Sequence, residues 1–241
     1  MALPRLRQAV VAATDFTRTT SALEAALGVR DPFHDPGIVH FGLRNAVYAV
    51  GDTFVEVVAP VREDTAAGRQ IARAGGDCGY MCMFELADEQ AVRARVAAAG
   101  VRLVHDSTHP DIVDLHLHPK DVPAAIVALD VTNPPGSWRW GGPQWEGAVP
   151  DHAPGGLTGM TVAVHDPRQV AATWAQLIGV ECDGSTLRID GGRQRIDFAS
   201  AAPDEVERIV EVRAAVGGGQ GEATVAGVRF VTEHVSAKET G

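Results

Sequence analysis

The sequence predicts an α+β fold built from βαβββ modules, because one pattern returns along it. Gly28-Val29-Arg30 recurs 72 residues on as Gly100-Val101-Arg102, and at the same offset Phe54-Val55-Glu56-Val57 faces Ile126-Val127-Ala128-Leu129. A third start, Gly159-Met160-Thr161-Val162, reaches Gly179-Val180 over the same 20 residues that separate Gln8 from Gly28 and Tyr80 from Gly100. Repetition at a constant period marks supersecondary units that each need a neighbour to bury an apolar face. Two modules over residues 5–132 are therefore expected to form one cup-shaped, eight-stranded sheet, followed by a second, degenerate module pair.

Each element has a local reason. Residues 6–14 form an apolar, β-branched run stopped by Asp15, as expected of a strand buried on both faces. Thr17, Thr19, Thr20 and Ser21 offer capping hydroxyls, Leu23, Ala26 and Leu27 an apolar stripe, and Gly28 a left-handed stop, so a helix follows. Residues 38–43, 46–50 and 53–59 read as three strands, the last two turned at Gly51-Asp52. The second module repeats the order with a strand at 80–86, a helix at 89–99 and strands near 112–117 and 125–131. Its last hairpin, residues 118–123, carries Pro119 and Pro123, which interrupt the ladder. Residues 133–154, rich in Pro, Gly and Trp, read as a linker pinned by aromatic contacts. The expected units are thus 1–132, the linker 133–154, and 155–241. The last holds strand 157–164, helix 170–178, strands 186–190 and 195–199, and a remnant at 206–214 and 225–232 whose helix has given way to Gly217-Gly218-Gly219.

Composition narrows the function classes. With 31 acidic and 21 basic residues the net charge is −10, opposite to the basic footprint of a nucleic-acid binder. Three cysteines without a CxxC pair fit a reducing compartment, and no apolar run approaches the roughly 20 residues of a membrane span. The expectation is a cytoplasmic protein with a small-molecule substrate, no nucleic-acid or membrane partner and no organic cofactor, assembled as a homodimer.

Paired βαβββ modules with an apolar first strand, a Gly-Val after the helix and a Thr53-Phe54-Val55-Glu56-Val57 last strand resemble the vicinal oxygen chelate superfamily, the glyoxalase and extradiol dioxygenase fold. Within it, residues 35–38, 51–56 and 116–121, above all His118-Pro119-Lys120-Asp121, are similar to methylmalonyl-CoA epimerase-like members. The resemblance implies four metal-ligand positions at the centre of the cup: Gln8, Glu56, Tyr80 and Ala128. Gln8 and Glu56 offer oxygen ligands, a neutral phenol is a poor one, and Ala128 is none. A divalent ion would be held by Gln8 and Glu56 with help from His118, His116 or Asp130.

Strand periodicity names the helpers. Asp130 lies two residues after Ala128 and so on the same face, and His116 and His118 share a face of the preceding strand, where they could transfer protons, bind metal or simply brace a turn. Glu56, set among Phe54, Val55, Val57 and Val58, is desolvated and is either an acid–base group or a core glutamate paired with Gln8. Asp35 matches the epimerase's acidic proton-transfer position, while Asp35-Pro36-Gly37 also reads as an ordinary turn. Tyr80 could bind a substrate oxygen. The expected function is proton transfer next to a carbonyl by an isomerase, epimerase or lyase. The alternatives are a metal-free binding or resistance protein and an extradiol-type dioxygenase.

Overall fold

The computed structural model describes residues 2–145, 155–217 and 219–234; the expected linker's residues 146–154 lie outside the described residues. The first half runs β1 (Arg5–Ala12), α1 (Phe16–Leu27), β2 (Leu43–Val50), β3 (Thr53–Pro60), α2 (Ala66–Ala74), β4 (Cys78–Leu86), α3 (Glu89–Ala98), β5 (Leu103–Thr108), β6 (Ile112–Leu117) and β7 (Ile126–Thr132). The second half runs β8 (Gly156–Val164), α4 (Pro167–Ile178), β9 (Cys182–Asp183), β10 (Thr186–Ile189), β11 (Gln194–Ser200), β12 (Arg208–Val216), β13 (Gly221–Val225) and β14 (Val228–His234). Each half makes one seven-stranded sheet, in the orders β2-β3-β1-β4-β7-β6-β5 and β13-β14-β12-β8-β11-β10-β9. The α+β module pairs are as the repeats predict.

The expected eighth strand of the first sheet is absent among the described residues. Residues 38–43, read from sequence as a strand, belong largely to a 3-10 turn, Pro36–Phe41, because Asp35 caps it through a 2.8 Å hydrogen bond from the Gly37 N–H and Pro36 fits its first position. The second module keeps all three of its strands, including β5, which the sequence reading passed over. Helix α2, capped by Thr65, fills the connection between the modules and was likewise not anticipated.

One apolar layer joins the two sheets. Leu6, Ala9, Val11, Val55, Val57, Cys82 and Phe84 of the first pack in the same core as Leu157, Met160, Val162, Ile196, Ile209 and Val212 of the second, with α1, α3 and α4 over it. Trp174 of α4 meets Phe84 on one side and Phe198 on the other, edge to face, at ring separations of 6.1 and 5.2 Å. The approach is close at Gly79, where a Cβ would stand 2.6 Å from the Cβ of Ile209, so no larger residue fits without displacing β12. The opposite face of the first sheet carries a second cluster: Val10, Val47, Phe54, Val58, Met81, Met83 and Ala128, joined by Trp138. Phe41, just before edge strand β2, lies 5.7 Å ring to ring from His105 of the other edge strand, β5. The sheet therefore curls around this face, which is the cup.

Candidate functional site

Two bulges place the residues of the cup. In the β1–β4 ladder Leu6 opposes Phe84 but Gln8 opposes Met83, and Val10 opposes Met81 but Val11 opposes Gly79, so Arg7 and Tyr80 are the extra residues, one in each strand. The bulges are related by the pseudo-twofold between modules, and the first strands therefore match at an offset of 73. Gln8 corresponds to Met81, not to Tyr80 as the constant offset implied. On the last strands the offset of 72 holds: Glu56 opposes Val10, and Ala128 opposes Met83.

Glu56 is the centre of the cup's polar network. Its Oε2 accepts from Gln8 Nε2 at 2.8 Å and its Oε1 from Asn45 Nδ2 at 2.7 Å. The orientation of both amides is set from behind. The Trp138 indole N–H donates to Gln8 Oε1 at 2.8 Å, and the Asp35 backbone N–H donates to Asn45 Oδ1 at 3.0 Å, so each amide must turn its NH2 toward the carboxyl. Burial pushes the Glu56 pKa up to about 7, against the pull of the two amide donors, and the charge of Asp35 adds to the rise. Tyr80 packs in the same apolar cluster, and burial with the nearby Glu56 charge holds its phenol neutral, pushed up to about 12. Glu56 keeps 6% exposure, and Tyr80, Met81 and Ile71 keep 8% each, so what access the cup has lies on this side.

Residues 133–145 form a strap across the cup. Arg7 and Arg5 both pair with the fully buried Glu85, whose other oxygen accepts from Thr132 Oγ1 and the Gly136 N–H at 2.7 Å each. Arg7 Nη2 donates to the Gly136 carbonyl at 2.8 Å, and its guanidinium lies 5.1, 5.4 and 5.8 Å from the rings of Trp138, Trp145 and Phe54. Trp138 stacks on Phe54 at 6.3 Å. Trp138 and Trp145 both pack on Phe54, and Trp138 reaches the site.

A second acidic cluster lies toward β5. Asp114 opposes Asp130 across β6 and β7, and Glu85 opposes Asp130 on the other side. Asp114 has cationic candidates within reach, His116 at 2.8 Å and His105 at 3.5 Å. Burial raises its pKa, but His116, a hydrogen bond from Asp130 and the charge of His105 together outweigh burial, and the net shift is downward. Asp130 has no such partner among the described residues, and burial followed by the charge of Asp114 raises its pKa well above the usual range.

The sequence candidates thus divide. Gln8, Glu56 and Tyr80 are brought together, with Asn45 and Trp138 added. His116 and Asp130 share the cup but belong to the second cluster. Asp35 sits at the rim, its carboxylate engaged in the turn cap and its backbone engaged with Asn45. His118 stands at the head of the β6–β7 turn, where its Nδ1 accepts from the Lys120 N–H at 3.1 Å, and it takes part in neither cluster. Asn45, Asp114 and Trp138 escaped the sequence reading, because their roles come from cross-strand register and from a contact 130 residues apart in the chain.

The residues do not fit the divalent metal that the resemblance implies. At the four corresponding positions stand Gln8, Glu56, Met81 and Ala128; both oxygens of the one carboxylate face N–H groups, and the Gln8 oxygen is taken by Trp138. Among the described residues no group of three His, Cys, Asp or Glu is placed to hold a metal ion. In the second sheet the bulge-corrected register sets Asp197 at the Glu56 position and Glu211 at the Met81 position. Both are occupied by Arg213, at 3.0 and 2.6 Å, so that face holds an internal cation.

Over residues 9–178 the sequence matches the family model described as a glyoxalase-like domain. The chain belongs to the glyoxalase-like family. It is a member of the vicinal oxygen chelate superfamily, as the repeats and the cup imply. No curated protein matches it. A solved hypothetical protein from Staphylococcus aureus is 12% identical and superimposes over 97% of this chain and 100% of its own, with a TM-score of 0.71. This glyoxalase-like chain shares that whole four-module fold. Methylmalonyl-CoA epimerase from Streptomyces coelicolor, solved with 2-nitronate-propionyl-CoA, is 24% identical over 54% of this chain and 99% of its own, with a TM-score of 0.47. The epimerase from Mycobacterium tuberculosis is 20% identical over 53% of this chain and 87% of its own, with a TM-score of 0.46. No helix among the described residues is long and apolar enough to cross a membrane.

Proposed function

We propose that this glyoxalase-like protein transfers a proton next to the carbonyl of a compact, largely apolar small molecule, as an isomerase, epimerase or lyase, with Glu56 as its acid–base group. The observation that carries the reading is a buried carboxyl in the cup whose pKa of about 7 keeps both protonation states populated near neutrality. In the ionised form Glu56 takes the proton from the carbon acid, and in the neutral form it returns it. Gln8 and Asn45 orient the carboxyl. Tyr80, kept as a neutral phenol, supplies a hydrogen bond to the oxygen on which charge develops. Phe54, Met81, Met83 and Val47 exclude water and favour an apolar body on the substrate.

The experiment is deuterium wash-in. Small carbonyl compounds, thioesters included, are incubated with the protein in D2O, and loss of the α-proton signal is followed by NMR. The wild type should exchange at least one compound, and Glu56→Gln should slow that exchange by about 100-fold or more. Equal exchange by the variant would remove Glu56 from the chemistry. A second reading, a binding protein without turnover, is favoured by one observation: both Glu56 oxygens already have amide partners. Ligand-dependent thermal stabilisation without any exchange would select it.

A further inference from the structure

We infer that Trp138 is a positioning residue for the Glu56 site, because its indole N–H dictates which end of the Gln8 amide meets the carboxyl. The two orientations of a glutamine amide are nearly equal in shape, and the hydrogen-bonding neighbours select between them. Here the indole can only donate, so it must meet Gln8 Oε1, and the NH2 is thereby delivered to Glu56 Oε2, each contact being 2.8 Å. The flipped amide would set oxygen against carboxylate oxygen on one side and N–H against N–H on the other. That would leave four buried groups without partners: both ends of the amide, Glu56 Oε2 and the indole N–H.

The two halves of the carboxyl clamp differ in how they are supported. Asn45 is set by the Asp35 N–H, in the turn that leads directly into β2. Gln8 is set by a residue of the strap, which Arg7, Glu85 and the Gly136 peptide fasten to the first sheet. The Gln8 half therefore exists only while the strap lies on the cup. Lifting the strap, whether to admit a ligand or by mutation, releases the amide, and closing it restores the oriented carboxyl. The site is completed by closure. That consequence for turnover rests on the proposed role of Glu56; the orientation of Gln8 does not.

The test is NMR of the side-chain amide of Gln8 and the indole N–H of Trp138 in the full-length protein. In the wild type the Gln8 NH2 should resolve as two distinct, exchange-protected protons. Trp138→Phe keeps a stacked ring on Phe54 but removes the N–H, and solvent exchange of the Gln8 NH2 should quicken by about tenfold or more. Incorporation of 3-benzothienylalanine at position 138, which keeps the indole shape without the N–H, should do the same and covers the case in which the phenylalanine variant packs poorly. Unchanged Gln8 exchange in the benzothienyl protein, with the fold intact, would overturn the proposal. Failure of Glu56→Gln to affect deuterium wash-in would instead overturn the role of Glu56 and leave this result standing.

Discussion

Asp130 stands directly opposite Asp114 on the neighbouring strand, fully buried, with the Asp114 carboxyl and the Trp140 indole as its polar neighbours and no cation beside it among the described residues. The flanking acid on the other side, Glu85, is satisfied by two arginines, a threonine and a peptide N–H. Asp114 has two histidines beside it. Of three carboxyls in a row, one must keep its proton, and its surroundings make that one Asp130.

Asp130→Asn is expected to stabilise the protein above pH 5. A folded-state pKa raised above the unfolded value contributes stability that is complete below about pH 4 and drains away as pH rises toward the folded value. An amide of the same shape has no proton to keep, so the variant should be the more stable of the two by pH 7, with the gap widening as pH rises. Urea unfolding at pH 4.5, 6 and 7.5 decides the matter; a wild-type-like slope in the variant would mean that Asp130 ionises normally.

Glu56 contributes a slope of the same sign. With a folded value of about 7, its contribution is intact below about pH 4.5 and is lost by about pH 7, a difference on the order of 3 kcal/mol. Carbon-13 NMR of the Glu56 side-chain carboxyl should titrate near neutrality. A midpoint near 4.5 would contradict both the burial argument and the acid–base role.

Glu85→Gln should be the most destabilising conservative change in the first half. It leaves the buried guanidinium of Arg7 facing a neutral amide, while Arg5 keeps its pair with Asp52, and breaking one side of a buried ion pair costs about 3–5 kcal/mol. The strap should loosen with it. Proteolysis within residues 133–145 at rates unchanged from wild type would show that Glu85 does not hold the strap.

Divalent metal should leave stability unchanged. Because N–H groups face both Glu56 oxygens, Mg2+, Mn2+, Co2+ or Ni2+ at millimolar concentration is expected to leave the melting temperature as it is in chelator. A rise that is abolished by Glu56→Gln would demonstrate a cation in the cup and overturn the fit argument.

How much of this could be read along the chain depended on whether the cause was local. Strands, helix stops and the module repeat are local, and Gly28, Gly100 and Gly179 mark them openly; the start of α1 is capped by Asp15 and not by the hydroxyls at positions 17–21. The single-residue shift of the first strands was hidden, because a bulge leaves no reliable mark in composition: Arg7 and Tyr80 look like ordinary strand residues until the ladder shows them to be extra. The 3-10 turn reads as a strand in sequence because Ile38, Val39 and Phe41 are β-formers, and the Asp35-Pro36-Gly37 start that overrides them reads equally as a turn or as the site of a proton-transfer acid. Glu56 stood out as an acid in an apolar run. Its partners did not, since Asn45 and Trp138 come to it through sheet register and a returning strap. His118, distinctive in sequence, is consumed by its own turn.

The strap also bears on how the molecule can be divided. A repeat architecture invites the thought that either half is a spare copy, able to live alone. Here the tether to the second half is also the plug of the first half's cup, and Gln194 of β11 accepts from the Leu6 N–H and donates to the carbonyls of Leu6 and Leu157, stitching the halves through the backbone. Cutting after residue 132 would strip the first half of Trp138 and uncover Phe54 and Gln8 together. Duplication has become dependence, and the smallest piece that retains the Glu56 arrangement extends past the repeat that encodes it.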